Sequence, residues 1–236
     1  MSRSMTALFV LFTLSALGTA QAQALFQPGK HYTVLKAPQR TNVPAGKVEV
    51  MEVFSYGCPA CDRFQSTMKK LKAALPANAQ FVYLPASWNA AENWPLLQRS
   101  YITAQSLGIA DQSHDEMFKA IWGTGELAVV DLSTGRPKSR LPSIDDIARF
   151  YQRVAGVKPT DFVTAAKSFG VDAKMRSADA QIVAMQVSGT PTLVVNGKYR
   201  VNNEAMNTAD EIVDCVRFLV AKESAAAATT APAKKS

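Results

Sequence analysis

The sequence predicts an α/β protein in which a block of helices interrupts a set of strands. Short apolar runs typical of strands lie on both sides of the middle of the chain, at 31–35, Val48–Phe54, 80–84 and 192–201. Between them, residues 90–186 carry apolar side chains at helical spacing. The motif Cys58-Pro59-Ala60-Cys61 follows the second strand, where a helix is expected to begin.

The first residues have the composition of a cleavable secretory signal. Arg3 precedes an apolar run at 6–18, and small residues follow at 20–24. We expect a signal peptide at 1–22, with cleavage after residue 24 as the alternative. An uncleaved anchor is the competing interpretation, although the apolar run is short for a membrane span. The remaining chain of roughly 210 residues is long enough for a full hydrophobic core.

The formal net charge is +7, and the chain contains three cysteines. The basic residues are scattered, so we assign the charge to a solvated surface and expect no nucleic-acid partner. Three cysteines are few, and odd in number, for an exported protein held together by disulfides. We therefore expect one working pair, Cys58 and Cys61, and a lone thiol, Cys215.

The first half of the sheet is predicted from three strands and one helix. The run at 31–35 predicts a short first strand, and Val48–Phe54 is apolar enough to be a buried central strand. The helix after it has apolar residues at helical spacing from Phe64 onward and is expected to stop before Pro76. Residues 80–84 then predict a third strand.

The segment 90–186 is predicted to be a helical insertion without strands. Two capping boxes, Ser113-x-x-Glu116 and Ser143-x-x-Asp146, each precede a periodic apolar segment. Residues 134–142 are rich in Gly, Pro and basic side chains and predict an exposed loop. The large aromatics of this region are expected to lie in the core rather than at a binding site, among them Trp88, Trp94 and Trp122.

A hairpin is predicted at 192–201, because Asn196-Gly197 suits a tight two-residue turn. Thr208-x-x-Glu211 predicts the cap of a final helix. Cys215 falls beside the apolar stripe of that helix and is expected to be a small buried thiol, with a dimer-forming thiol as the alternative. The tail at 223–236 has no large apolar residue and is predicted to be disordered.

Four stretches carry a resemblance to a known family: GKHYT at 29–33, EVFSYGCPAC at 52–61, GTPT at 189–192 and VNGKY at 195–199. Together they resemble the DsbA family of periplasmic thiol:disulfide interchange proteins, over nearly the whole mature chain except the tail. The resemblance implies a thioredoxin fold with an inserted helical domain. The thioredoxin-like domain would comprise 25–89 and 187–222, and the insertion would comprise 90–186.

The cysteine pair predicts thiol–disulfide exchange. Cys58 opens a helix, where free N–H groups and the helix dipole favour a thiolate, and Pro59 suits the first helical turn. We expect Cys58 to be the nucleophile and Cys61, one turn later and more buried, to close or resolve the disulfide. Two alternatives remain, a purely structural disulfide and one half of a zinc site.

The resemblance implies supporting roles for Glu52 and for Thr190-Pro191. Alternation along the strand places Glu52 on the same face as Val50 and Phe54, which suggests burial. In the family, a buried acid helps to move the proton of the second cysteine; the alternative is an ordinary carboxylate at the sheet end. The resemblance also implies a cis bond between Thr190 and Pro191 beside the cysteines, against the alternative of a trans turn.

Two residues depart from the strong oxidants of the family. Ala60 stands where these commonly carry His, so the Cys58 thiolate should be less stabilised and the disulfide less oxidising. Thr190 stands where they often have Val and is similar to the disulfide isomerases. The alternative functions are therefore a thiol–disulfide reductase or isomerase and a non-catalytic, chaperone-like binding module.

The resemblance implies a soluble, monomeric, periplasmic protein disulfide oxidoreductase. It would introduce disulfide bonds into reduced, unfolded exported proteins, which would lie in an apolar groove near Thr190 and the cysteines. A DsbB-type membrane oxidase linked to quinone would restore the disulfide. No organic cofactor or metal is expected, because the Cys58–Cys61 disulfide itself carries the electrons.

Overall fold

The computed structural model describes residues 26–230. The predicted signal peptide and its cleavage positions therefore lie outside the described residues, as does the last part of the tail. Within the described part, a five-stranded sheet and seven α-helices confirm the predicted α/β fold with a helical insertion. The strands are β1 (Tyr32–Val34), β2 (Val48–Phe54), β3 (Ala79–Pro85), β4 (Thr192–Val195) and β5 (Tyr199–Val201). The helices are α1 (Pro59–Ala74), α2 (Trp94–Ser106), α3 (Ala110–Phe118), α4 (Ile144–Ala155), α5 (Pro159–Ala166), α6 (Phe169–Ala184) and α7 (Ala209–Thr230).

The strand order is β1-β5-β4-β2-β3, with β2 and β3 parallel and the other pairs antiparallel. The turn between β4 and β5 has Asn196 at φ 52° and Gly197 at φ 59°, the left-handed pair that a type I′ turn requires. This geometry confirms the predicted hairpin. Gly197 also lies against the backbone carbonyl of Gln39, so a side chain at this position would collide with the loop before β2.

The central strand β2 is buried along its whole length, because helices cover both faces of the sheet. Val48 and Val50 pack in an apolar cluster with α1 and α7. Met51 and Val53, which point to the opposite face, belong to a second cluster that includes side chains from α2 to α6. The carboxyl end of β2 therefore places the cysteine motif at the boundary between the two apolar clusters.

The two predicted capping boxes have different outcomes. At the start of α4, the Ser143 hydroxyl accepts from the Asp146 N–H at 3.2 Å, and the Asp146 carboxylate accepts from the Ser143 N–H at 2.8 Å. The box predicted at Ser113 is wrong, because α3 already begins at Ala110. Inside the helix, the buried Ser113 hydroxyl donates instead to the Ile109 carbonyl at 2.7 Å, an alternative open to any helical serine.

The prediction of a disordered tail is wrong for residues 223–230, because α7 continues to Thr230. Glu223 fastens this extension to the β4–β5 hairpin: its carboxylate accepts from Lys198 Nζ at 2.6 Å and from the Tyr199 hydroxyl at 2.9 Å. Alanines, the strongest helix formers, fill the next positions. The hydrogen bonds of Glu223 and the helix propensity of the alanines thus stabilise the end of α7 without large apolar side chains.

The insertion contributes the helices from α2 to α6, and residues 134–140 between α3 and α4 are exposed, as predicted for this loop. An isolated bridge between Val130 and Pro137 closes the same loop, which the sequence pattern did not indicate. None of the helices within 26–230 is long and apolar enough to cross a bilayer.

Candidate active site

The cysteine motif forms the junction between β2 and α1. Cys58 is the N-cap residue of α1 with an extended backbone (φ −93°), and Pro59 occupies the first helical position. The Cys58 sulfur accepts a hydrogen bond from the Cys61 N–H at 3.3 Å. The helix start thus offers its unpaired amide groups to the sulfur of Cys58, as an N-cap side chain normally receives them.

The two thiols are free and have opposite environments. Cys58 is 5% exposed, whereas Cys61 is 0% exposed. Hydrogen bonding from the Cys61 thiol, then from the Thr190 side chain and the Cys61 and Ala60 N–H groups, lowers the pKa of Cys58 to about 6 against the opposing effect of burial. Burial, together with the neighbouring Cys58, raises the pKa of Cys61 far above its ordinary value. Of the two sulfur atoms, that of Cys58 is therefore the one that forms a thiolate more readily, and it is the less buried.

The Thr190–Pro191 bond is cis, as the resemblance implied, and it lies beside the cysteine pair. The Cys58 thiol contacts the Thr190 carbonyl at 3.4 Å, across 132 positions of the chain. A residue not singled out from the sequence supports this loop: Asn203 donates its amide N–H to the Pro191 carbonyl at 3.2 Å. Its place, in a short 3₁₀ turn after β5, becomes visible only once the hairpin is folded.

Glu52 is fully buried on the β2 face toward α1, and neither carboxylate oxygen has a hydrogen-bond partner among the described residues. Burial raises the pKa of Glu52 to about 8, with the Lys72 charge acting in the opposite direction and the Cys58 charge in the same direction. Glu52 in turn contributes to the raised pKa of Cys61. The arrangement matches the burial expected for Glu52 and places an acid with a near-neutral pKa in electrostatic contact with both thiols.

Two tryptophans of the insertion hold the segment just before the cysteines. The indole N–H of Trp122 donates to the Tyr56 carbonyl at 2.8 Å. A side chain at Gly57 would lie 2.5 Å from Nε1 of Trp94, so this position tolerates only glycine without a shift. Trp94 and Trp122 are packed as predicted, but Trp88 is 46% exposed, and its ring lies tilted by 36° against that of Trp94 with the centroids 5.9 Å apart.

The remaining candidates lie away from the sulfur atoms. His114 is buried beneath the site, where Nδ1 lies 3.1 Å from the Tyr56 hydroxyl and burial lowers its pKa to about 3. Nδ1 of His31 accepts from the Gln27 N–H at 3.0 Å. Cys215 is fully buried on α7, and burial raises its pKa to about 12. The burial of Cys215 agrees with the expectation of a small apolar thiol.

A cleft of about 680 Å³ opens beside Thr190, Pro191 and Ala60. The prediction of an apolar groove at this place is wrong. Apolar residues such as Phe64 and Ile212 share the lining with charged and polar side chains, namely Lys30, Arg63, Arg200, Glu204, Asn202 and Asn203. The lining is therefore mixed, with more cations than anions.

A thiol with a lowered pKa, one helical turn from a fully buried thiol with a raised pKa, is the chemistry of a thiol–disulfide oxidoreductase, here on a thioredoxin scaffold. No protein-family model matches the chain. Among curated proteins, the chain is 32% identical to the thiol:disulfide interchange protein DsbA of Pseudomonas aeruginosa over 218 residues, which cover 92% of this chain and 95% of that protein. The corresponding protein of Pseudomonas syringae pv. tomato is 32% identical over 209 residues, with 89% and 90% covered. The chain belongs to the DsbA family.

Solved structures agree with this assignment. The oxidoreductase DsbA of Xylella fastidiosa superposes with a TM-score of 0.73 at 31% identity, covering 85% of this chain and 99% of that one. DsbA of Pseudomonas aeruginosa gives a TM-score of 0.71 at 32% identity, covering 86% and 97%. The protein is thus a protein disulfide oxidoreductase with the thioredoxin fold and its helical insertion.

Proposed function

We propose that the protein introduces disulfide bonds into reduced proteins exported to the periplasm, by exchange at the Cys58–Cys61 pair. The observation that carries the proposal is the asymmetry of the two thiols: the pKa of Cys58 is lowered and its side chain is 5% exposed, whereas the pKa of Cys61 is raised and its side chain is 0% exposed. A stabilised thiolate favours the reduced form of the pair, so the disulfide form is a good oxidant.

The reaction has two exchange steps. A substrate thiolate attacks the Cys58 sulfur of the disulfide, the S–S bond breaks, and Cys61 takes the electron pair and a proton. A second substrate thiolate then attacks the substrate sulfur of the mixed disulfide and releases the Cys58 thiolate. The substrate loses two electrons, which remain on the cysteine pair as a thiol and a thiolate.

Thr190, Pro191 and Glu52 are proposed to support these steps. An extended substrate would lie in the cleft beside the cis bond, where the backbone of Thr190 is next to Cys58. Pro191 has no N–H and so cannot compete for the sulfur. Glu52 would exchange a proton with Cys61, because its pKa of about 8 lets it populate both forms near neutral pH.

Location, partners and cofactors complete the proposal. The protein would act as a monomer in the periplasm after removal of its signal peptide. A DsbB-type, quinone-linked membrane oxidase would accept the electrons and restore the disulfide. The disulfide carries the electrons without an organic cofactor or metal ion.

The test is oxidation of a reduced, unfolded protein by the mature enzyme with its disulfide formed. We expect substrate thiols to disappear at a rate first order in enzyme, and we expect Cys58→Ser to abolish the reaction because it removes the attacked sulfur. Cys215→Ser is the matched control and should keep the wild-type rate, since Cys215 lies buried on α7. Full turnover by the Cys58→Ser variant would refute the assignment.

A reductase or isomerase is the second candidate, favoured by Ala60 and Thr190 beside the thiols. The equilibrium redox potential of the cysteine pair against glutathione separates the two functions. A value near or above about −130 mV supports an oxidant of exported proteins, whereas a value near or below about −230 mV supports a reductase or isomerase.

A further inference from the structure

The cleft beside the cysteines carries an unbalanced charge. It is lined by three cations, Lys30, Arg63 and Arg200, and by one anion, Glu204. Within residues 26–230, none of the three cations forms an ion pair with a carboxylate. A substrate that enters the cleft therefore meets positive charge that no ion pair compensates. The choice of substrates that follows from this charge rests on the proposed function.

The three cations come from parts of the chain that are distant in sequence. Arg63 lies on α1, three residues after Ala60, so the two residues share one face of the helix. Arg200 lies on β5, which pairs with both β1 and β4. Lys30 lies before β1, and its carbonyl accepts from the Asn202 amide at 3.0 Å. The fold thus brings together around one cleft a charge that no basic run in the sequence indicates.

The three side chains differ in how freely they can move. Lys30 and Arg63 are exposed, and neither side chain makes a hydrogen bond within the part of the chain that the structure describes. Arg200 is half-buried, and its guanidinium donates to the Gln186 carbonyl in the segment that leads to the cis bond. Lys30 and Arg63 can therefore turn toward a carboxylate in the cleft, whereas Arg200 is a fixed charge.

The carboxylates near the cleft offset only part of this charge. Glu204 lines the cleft from the short turn after β5, and its side chain is exposed. Burial raises the pKa of Asp62, and the charge of Arg63 acts in the opposite direction, but Asp62 does not line the cleft. A concave site lined mainly by one sign of charge concentrates ligands of the opposite sign. The cleft should therefore attract anionic groups.

We infer that the cleft selects extended peptide segments in which acidic side chains flank the reactive cysteine, with Lys30 and Arg63 as specificity-determining residues. The cleft also has the other groups that such a segment requires, namely the backbone of Thr190 beside the cysteines and the apolar side chains of Phe64 and Ile212. An extended chain advances about 3.3 Å per residue, so a peptide whose cysteine has reached the active site places its neighbouring side chains in the cleft.

An anionic membrane surface is the other partner that such cations could serve. A bilayer presents its headgroups in a plane, and a plane cannot enter a concavity. The three cations line a cleft of about 680 Å³ together with apolar side chains. This shape and mixed lining suit a peptide, whose carboxylates can enter the cleft along with its apolar groups.

The experiment measures single-turnover oxidation of three peptides by the mature protein with its disulfide formed. Each peptide carries two cysteines in a flexible Gly/Ser chain, and each cysteine is flanked on both sides by Asp, by Asn or by Lys. The reaction is quenched with acid, and mass spectrometry gives the second-order rate constant for loss of peptide thiols. Dividing by the rate constant of the Asn peptide cancels any change in the reactivity of Cys58. Comparing these relative rates between protein variants cancels the effect of peptide charge on the peptide thiols.

The variant Lys30→Gln/Arg63→Gln is compared with the wild type and with Arg136→Gln/Lys158→Gln. The control removes the same two kinds of cation from exposed positions outside the cleft. An exposed ion pair changes an equilibrium by a factor of about two to three, so the relative rate of the Asp peptide should fall about fivefold in the first variant at low ionic strength. The relative rate of the Lys peptide should rise, and the control should keep the wild-type values. Arg200 is retained because it also donates to the Gln186 carbonyl.

Two further measurements should change the preference in opposite directions. Glu204→Gln removes the anion that lines the cleft, so the relative rate of the Asp peptide should rise about twofold. In about 0.5 M NaCl, the wild-type preference should shrink toward that of Lys30→Gln/Arg63→Gln, because salt screens exposed charges.

Equal relative rates in the wild type and in Lys30→Gln/Arg63→Gln would overturn the inference. The same conclusion would follow if this variant bound vesicles containing phosphatidylglycerol less tightly than the control did but kept the wild-type peptide preference. In that case the cations would serve a lipid surface. Thermal unfolding of each variant confirms that a slow rate is not a loss of fold.

Failure of this inference is distinguishable from failure of the proposed function. If the wild-type protein oxidises all three peptides, but the relative rates are the same in every variant, only the substrate preference is wrong. If the wild-type protein oxidises none of the three peptides, the proposed function itself is wrong.

Discussion

Cys58 and Cys61 are one helical turn apart, yet their surroundings give their thiols opposite affinities for a proton. The helix start supplies N–H groups to Cys58, whereas burial and the neighbouring Cys58 keep Cys61 protonated. Ala60 lies between them and contributes its backbone N–H, but its side chain can neither donate a hydrogen bond nor carry charge. At the scale of single residues, position 60 is therefore where the stability of the thiolate can be changed most directly.

Ala60→His is the corresponding prediction. A partly exposed histidine next to the sulfur adds a donor and, when protonated, a positive charge, so the pKa of Cys58 should fall and the disulfide should become more oxidising. The potential should rise by about 30 mV for each pKa unit by which Cys58 falls. Equilibration with glutathione measures the potential, and thiolate absorbance against pH measures the pKa of Cys58. An Ala60→Ser variant is the control for substitution alone, and an unchanged potential in Ala60→His would contradict the argument.

At the scale of elements, the last helix and the hairpin form one unit. Glu223 on α7 accepts from three side chains of the β4–β5 hairpin, and its own side chain is 5% exposed. The hairpin begins directly after the cis bond next to Cys58. The extension of α7 therefore braces the element that carries Thr190 and Pro191.

Glu223→Ala should destabilise the fold by about 1–3 kcal/mol, because it leaves the buried Tyr199 hydroxyl and two part-buried donors without their charged acceptor. Urea unfolding of the mature protein measures the free energy of unfolding. Asp214→Ala is the control on the same helix: its side chain is 60% exposed and its ion pair with Arg217 is a surface pair, worth about 0–1 kcal/mol. Equal stability of the two variants would show that the extension of α7 does not brace the hairpin.

At the scale of the whole molecule, the lowered pKa of Cys58 links the redox state to stability. In the reduced protein this pKa is about 6, against an ordinary value of 9.0. For an acid whose pKa falls on folding, the stabilisation is complete above the unfolded pKa and disappears as the pH falls through the folded pKa. The reduced fold should therefore gain stability from this thiol as the pH rises from 6 to 9.

The predicted observation is a pH-dependent difference between the reduced wild type and the reduced Cys58→Ser variant. The free energy of unfolding of the wild type should rise relative to that of the variant by about 1.4 kcal/mol for each unit of the pKa shift that is titrated. Glu52, whose raised pKa acts in the opposite direction, is present in both proteins and so largely cancels. Denaturant unfolding at pH 6, 7.5 and 9 measures the difference, and parallel curves would contradict it.

The architecture was predictable where its signals are local. The buried strand β2, the Asn196-Gly197 turn and the cysteine motif are each read from adjacent residues, and the structure places them as expected. Ser113 shows the limit of such signals, because the same motif can begin a helix or lie inside one. Packing against other parts of the fold decides between these two positions, and the motif alone does not specify that packing.

The candidate site was predictable for its cysteines and for the burial of Glu52, but not for the groups that surround them. His114 and Asn203 become relevant only in the folded protein, where α3 places His114 against the Tyr56 hydroxyl and the turn after β5 places Asn203 against the Pro191 carbonyl. Neither residue lies in a sequence pattern that indicates chemistry. Residues that act through distant neighbours require the three-dimensional arrangement before they can be recognised.

The N-cap geometry of Cys58 has a consequence for product release. The Cys61 N–H that donates to the Cys58 sulfur also stabilises the negative charge that forms on this sulfur when the substrate's second thiolate expels it. A thiol of low pKa is a better leaving group, so the mixed disulfide should be short-lived and the finished product should depart quickly. Helix α1 thus shortens the time for which the enzyme stays bound to each substrate.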